Sequence, residues 1–85
     1  MITVYSKPNC PHCVQAKTYL AGSGIPFDEV DVSADDEALA FLRERGHRSV
    51  PQLYVGEILL VEGGNAGLRE LSPAEILARV AEIQG

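Results

Sequence analysis

Two cysteines stand two residues apart, as Cys10-Pro11-His12-Cys13, and the chain has no others. A disulfide between them closes nearly the smallest possible loop. As a staple it is weak, because a structural disulfide stabilises mainly by closing a long loop in the unfolded chain. In a reducing compartment such a pair reads as reactive or metal-binding. Pro11 is suited to a first helical position, where its missing N–H has no intrahelical partner to lose. The pair therefore predicts a helix that starts at the cysteines.

The surrounding pattern gives that helix a frame. Residues 2–5 alternate and carry Ile2, Val4 and Tyr5, which predicts a strand. From Pro11 to about Ala21, Cys13, Ala16 and Leu20 fall at helical spacing, and Gly22-Ser23-Gly24 closes the helix. A second strand is expected over 26–32. A second helix follows, capped by Ser33 with Asp36 three residues on, carrying Ala38, Phe41 and Leu42 inward and ending near Gly46. Leu53-Tyr54-Val55 and Ile58 to Val61, joined by Gly56-Glu57, predict a hairpin. Gly63-Gly64-Asn65 reads as a tight turn. Ser72-Pro73 with Glu75 marks the last helix, with Ile76, Leu77, Val80 and Ile83 on its core face.

The order is β-α-β-α-β-β-α, an α/β architecture with a four-stranded mixed sheet flanked by three helices. The first β-α-β unit is expected to be parallel and the hairpin antiparallel, with helices on both faces of the sheet.

At a helix start, the Cys10 sulfur meets unpaired N–H groups and the positive end of the dipole, which favour a thiolate nucleophile. Cys13, one turn further in, is less exposed and suited to resolving a mixed disulfide. A charged His12 would stabilise a Cys10 thiolate and with it the reduced form; the plainer reading is an exposed histidine at a helix start. Lys7 adds positive potential or simply faces solvent. Half of a four-ligand zinc site is the competing reading of the cysteines, with His12 and His47 as further ligands, but no second cysteine pair exists. A cysteine–histidine hydrolase needs an orienting residue that nothing here marks. Two merely buried cysteines fit poorly with the polar turn of Asn9, Pro11 and His12. Pro51 reads locally as a strand beginning.

Size and charge narrow the classes. Eighty-five residues make one domain, 1–85, which buries roughly 60 % of its unfolded surface. The net charge of −5 argues against nucleic acid or an anionic membrane as partner. The longest apolar run, Ile58 to Val61, falls far short of the roughly 20 residues that span a bilayer. Met1-Ile2-Thr3-Val4-Tyr5 runs straight into a strand without an export signal, so a cytoplasmic location is expected.

Three blocks in order, Tyr5 to Cys13, Gly46 to Val55, and Gly63-Gly64, resemble the glutaredoxin family across essentially the whole chain. The cysteine motif alone is shared by all thioredoxin-fold proteins; the three blocks together are far more specific. The resemblance implies a thioredoxin-like fold and a dithiol enzyme with Cys10 attacking, Cys13 resolving and a redox-active Cys10–Cys13 disulfide. It implies that Pro51 is cis and faces the cysteines, with the Val50 backbone pairing to substrate like an added strand. Lys7 matches the lysine that approaches the carboxylate end of glutathione, and Arg48 lies near that groove. Gly63 and Gly64 match the glycines that let the backbone approach the γ-glutamyl end. Glutathione is the implied co-substrate, with no tightly bound cofactor. The implied partners are disulfide-containing proteins, with glutathione reductase acting indirectly, and the expected state is a monomer.

The departures from the family pattern are local. His12 replaces the usual Tyr or Phe. Ala66 and Gly67 stand where acidic or hydroxyl side chains usually grip the γ-glutamyl amine, though Asn65 or Glu62 can partly compensate. The stretch from Pro51 to Gly63 is about two residues longer than usual. These points keep open an electron donor to ribonucleotide reductase that is itself reduced by thioredoxin reductase. An iron–sulfur cluster held by Cys10 and glutathione from two chains is a third reading, opposed by the retained Cys13 and Pro11.

Overall fold

The computed structural model describes residues Met1–Gly85. Its elements are β1 (Ile2–Ser6), α1 (Pro11–Gly22), β2 (Phe27–Asp31), α2 (Asp36–Glu44), β3 (Gln52–Val55), β4 (Ile58–Leu59), α3 (Gly64–Arg69) and α4 (Pro73–Gln84). The strands lie in the order β2-β1-β3-β4. β1 pairs parallel with β2 and β3 pairs antiparallel with β4, as the pattern predicts, and the structure adds an antiparallel pairing of β1 with β3.

Side chains on a strand alternate between faces, and here both faces are covered. Ile2 and Val4 of β1 and Leu53 and Val55 of β3 pack with Ala16 and Leu20 of α1, Leu68 of α3 and Ile76 of α4. On the opposite face, Tyr54 joins Val32, Ala38 and Leu42, so α2 covers that side. Tyr5, Phe41 and Tyr54 meet there with ring centroids 5.0–5.9 Å apart.

Helix ends follow local chemistry. Ser72 Oγ accepts from Glu75 N while Glu75 Oε1 accepts from Ser72 N, a reciprocal cap that opens α4 together with Pro73. For α2 the cap is Asp35, whose carboxylate accepts from Ala38 N at 3.0 Å. Ser33 instead donates from its N–H and its hydroxyl to Asp31 Oδ1, forming the turn before the helix. The competing turn chemistry of Asp31 is why Ser33 does not cap.

The hairpin's second strand is shorter than 58–61: regular pairing ends at Leu59, Leu60 N still donates to the Leu53 carbonyl at 2.9 Å, and Leu60 and Val61 are buried in the core with Ile76. Gly63-Gly64-Asn65 leads into a fourth, six-residue helix instead of a simple turn. On α4, Ile76 is fully buried and Val80 and Ile83 pack at its margin, whereas Leu77 is 51 % exposed. No helix is long and apolar enough to cross a membrane.

Ile76→Ala is expected to cost about 2–5 kcal/mol, the usual range for a buried aliphatic truncation. Leu77→Ala is expected to stay within about 0.5 kcal/mol, as exposed positions do. Urea unfolding of the two variants measures the contrast.

Candidate functional site

The antiparallel register of β1 and β3 sets Tyr5 opposite Gln52, so the loop leaving β1 and the loop entering β3 emerge at the same end of the sheet. The first loop turns at Asn9, which adopts φ 58°, a conformation that asparagine tolerates better than most residues. The turn delivers Cys10 in an extended conformation to the start of α1. There its side chain takes the part that Ser or Asp ordinarily plays in a cap. Cys13 N donates to Cys10 Sγ at 3.3 Å, and Val14 N donates to the Cys10 carbonyl at 3.1 Å. The Cys10 thiol in turn donates to the Val50 carbonyl, 3.9 Å away, from the other loop. The Val50–Pro51 bond is cis.

The two sulfurs occupy different surroundings. Both are free thiols; Cys10 is 7 % exposed and Cys13 is fully buried. Burial pushes the Cys13 thiol up to about 11, helped by its hydrogen bond with Cys10, while the Lys7 backbone and the Lys17 charge pull the other way. A reagent arriving from solvent therefore meets Cys10 first, and Cys13 holds its proton at neutral pH.

Beside the cysteines runs an open groove of about 680 Å³. Of the residues expected from the sequence, His12, Val50, Pro51, Gly63, Gly64 and Asn65 line it together. Lys7 and Arg48 do not. Lys7 is exposed on the loop before Cys10, and Arg48 borders a neighbouring depression with Arg43, Gly46 and His47. His47 touches both hollows, and its Nε2 lies 2.6 Å from the Tyr54 hydroxyl. His12 and His47 do not gather with the cysteines into a metal-holding cluster.

The groove also takes in residues that local motifs do not mark: Arg45, Ser49, Gln52 and Leu59. Arg45 lies over the Phe41 ring, 3.5 Å from its centroid, and donates to the Phe41 carbonyl. The available signal is compositional, since three of the chain's five arginines fall between positions 43 and 48.

Two close approaches of backbone to backbone fix the turn that follows β4: Gly64 lines the groove, whereas Gly67 lies outside it and borders a separate depression. A Cβ on Gly64 would lie 2.7 Å from the Pro51 carbonyl oxygen, and Gly64 itself has φ +56°. At Gly67 a Cβ would collide with the Glu62 carbonyl oxygen. No side chain fits at position 67 without moving the backbone, so the missing acid there is enforced by packing. Asn65, 7 % exposed, donates from Nδ2 to Gln15 Oε1 at 2.9 Å, and Arg69 donates to the same oxygen.

The glutaredoxin family model matches residues 2–60. A glutaredoxin from Neisseria meningitidis is 43 % identical over 58 residues, spanning 66 % of this chain and 68 % of that protein. The glutaredoxin-like NrdH-redoxin of Escherichia coli, described for its thioredoxin-like activity profile, superposes with a TM-score of 0.68 at 26 % identity, covering 91 % of each chain. The glutaredoxin of Brucella melitensis does so with a TM-score of 0.72 at 29 % identity, covering 99 % of this chain and 90 % of that one.

Gly67→Ala is expected to destabilise by about 1–3 kcal/mol, as overpacking does. Gly22→Ala, with open space around the added methyl, is expected to stabilise by about 0.5 kcal/mol; urea unfolding checks both.

A second outcome concerns pH. The unfolded chain releases the Cys13 proton near the ordinary value of 9.0 and the folded chain near 11. Stability from this thiol is complete below pH 9 and is lost as pH rises toward 11. Tyr5 and Tyr54, whose hydroxyls burial also raises from the ordinary value of 10.0, act in the same direction once pH passes that value. Comparing reduced wild type with Cys13→Ser between pH 8 and 11 isolates the cysteine: the wild type is expected to lose more stability.

Proposed function

Because this chain belongs to the glutaredoxin family, whose members are thiol–disulfide oxidoreductases, we propose that it is a glutathione-dependent dithiol enzyme that reduces protein or low-molecular-weight disulfides. The observation that carries this reading is the contrast between the two sulfurs. One caps a helix and takes an N–H from Cys13; the other is buried and held protonated. A hydrogen bond to sulfur strengthens when the sulfur is charged, so the cap suits Cys10 to act as the thiolate.

In this reading, Cys10 Sγ attacks one sulfur of the substrate disulfide. The S–S bond breaks, and the other substrate sulfur leaves as a thiolate and takes up a proton. Cys13 then gives up its proton and attacks Cys10 Sγ. The remaining substrate sulfur departs with that proton, and the Cys10–Cys13 disulfide forms. Two electrons have passed from protein to substrate. Two glutathione molecules restore the dithiol and become glutathione disulfide, which glutathione reductase recycles. Glutathione can also attack a Cys10–glutathione disulfide directly, a route that needs Cys10 alone. Substrate lies in the groove against Val50, Pro51, Gly63, Gly64 and Asn65. His12 forms part of the wall, and Lys7 and Arg48 add positive charge on the approach. The setting is the cytoplasm, where glutathione is the reducing pool.

A second reading is favoured by one observation: Ala66 offers no acceptor side chain, and Gly67 has no room for one. A groove whose acceptors in this turn are left to Glu62 and the unpartnered Asn65 Oδ1 suits an electron donor reduced by thioredoxin reductase, with ribonucleotide reductase as the protein disulfide. The likeness to NrdH-redoxin supports the same reading.

Turnover of one small disulfide is followed by NADPH oxidation in two systems, glutathione with glutathione reductase and thioredoxin reductase alone. Turnover with glutathione is expected, and Cys10→Ser is expected to reduce it at least about a hundredfold. Turnover with thioredoxin reductase only would replace the first reading by the second. Failure in both systems would overturn both.

A further inference from the structure

The cations of this acidic chain are unevenly placed. It has twelve carboxylate side chains against seven Lys and Arg, yet Arg43, Arg45 and Arg48 fall within one short stretch with His47 among them. The chain's salt bridge joins Lys17 to Glu29 on a different part of the surface, so none of these three arginines has a carboxylate partner. All three are exposed. Arg45 is held over Phe41 and reaches the groove, whereas Arg43 and Arg48 border a depression of about 460 Å³ that joins the groove at His47. Glu62 lies elsewhere on the groove wall, and Glu44 is exposed in the same stretch. The positive potential is therefore concentrated on the side where the chain runs from α2 to Val50.

We propose that Arg43, Arg45, His47 and Arg48 form a docking surface for an acidic polypeptide segment that flanks the reacting cysteine of a protein disulfide substrate. The inference rests on the reading of Cys10 as the attacking thiol and adds to it the chemistry of the partner. The carboxylate at one end of a tripeptide such as glutathione engages one or two cations. Arg45 and His47 on the groove, with Arg43 and Arg48 beyond it, exceed what it needs. A nucleic acid would meet the same patch, but the net charge of −5 on so small a chain repels a long polyanion.

The chain geometry sets the register. Arg48 is two residues from Val50, so their Cα atoms lie within about 7 Å. Acidic side chains about two to four residues from the substrate cysteine match the patch. Unpaired cations at the mouth of a reactive site raise the encounter rate with such a segment and orient it, an effect that salt screens.

The test uses three synthetic peptides with the same internal disulfide, flanked on both sides by acidic, neutral amide or basic residues. Each oxidises the fully reduced protein under single-turnover conditions without glutathione, followed by quenching and alkylation. At 20 mM NaCl the acidic peptide is expected to react about fivefold or more faster than the neutral one, and the basic peptide more slowly. In 0.5 M NaCl the difference is expected to shrink below about twofold. The double variant Arg43→Gln/Arg48→Gln is expected to bring the acidic-to-neutral ratio close to one. Arg79→Gln, which removes a charge elsewhere, is expected to keep it. Equal rates for acidic and neutral peptides, or a preference that survives in the double variant, would overturn the docking surface and leave the enzyme reading intact. No reaction with any peptide would overturn both.

Discussion

The antiparallel pairing of β1 with β3 is the constraint on which the site depends. Cys10 and Pro51 are forty-one positions apart in sequence, and neither loop that carries them has regular hydrogen bonding of its own. The ladder from Ile2–Val55 to Tyr5–Gln52 makes both loops leave the sheet at the same end. Burial on both faces locks that register: a slip by one residue would turn Ile2 and Val4 out of one core and Tyr54 out of the other. The 3.9 Å contact between Cys10 Sγ and the Val50 carbonyl is thus a product of strand register.

The asymmetry between the cysteines has an equally local origin. A helix leaves its first N–H groups without intrahelical partners, and Cys10 occupies the position from which a side chain can accept one. Cys13, three residues later, points toward the sheet with Ala16 and Leu20. One turn of helix is enough to leave one of two identical side chains at the edge of the surface, 7 % exposed, and the other fully buried.

The elements with strong end signals were legible in the sequence: Cys10-Pro11 for α1, Ser72-Pro73 with Glu75 for α4, and the alternating apolar residues of β1. What escaped was decided by longer-range packing or by competing turns. α3 begins at a glycine pair with no capping side chain, and it is held by Leu68 in the core and by Asn65 against Gln15 of α1. β4 ends its regular pairing at Leu59, while Leu60 keeps one hydrogen bond to Leu53 and buries its side chain together with Val61. Ser33 and Asp35 are both good capping residues, and the carboxylate of Asp31 claims the first. At the site, the cysteines and His12 were marked by their own spacing, and the glycine pair by the resemblance to the family. Arg45, Ser49 and Leu59 join the groove only through the path of the chain after α2, which no short motif encodes.

The packing at Gly67 also bears on how this site can change. The Glu62 carbonyl occupies the space in which a side chain at 67 would begin, so an acidic residue cannot be restored there by a single codon change. To install one, the path of the chain from Val61 to Leu68 must be redrawn, and with it the anchoring of Leu68 in the core. The turn from Val61 to Leu68 is therefore inherited as a segment. A graft of the whole turn from a relative is the shortest step by which it can be exchanged, because a side chain added at 67 alone carries the cost of overpacking.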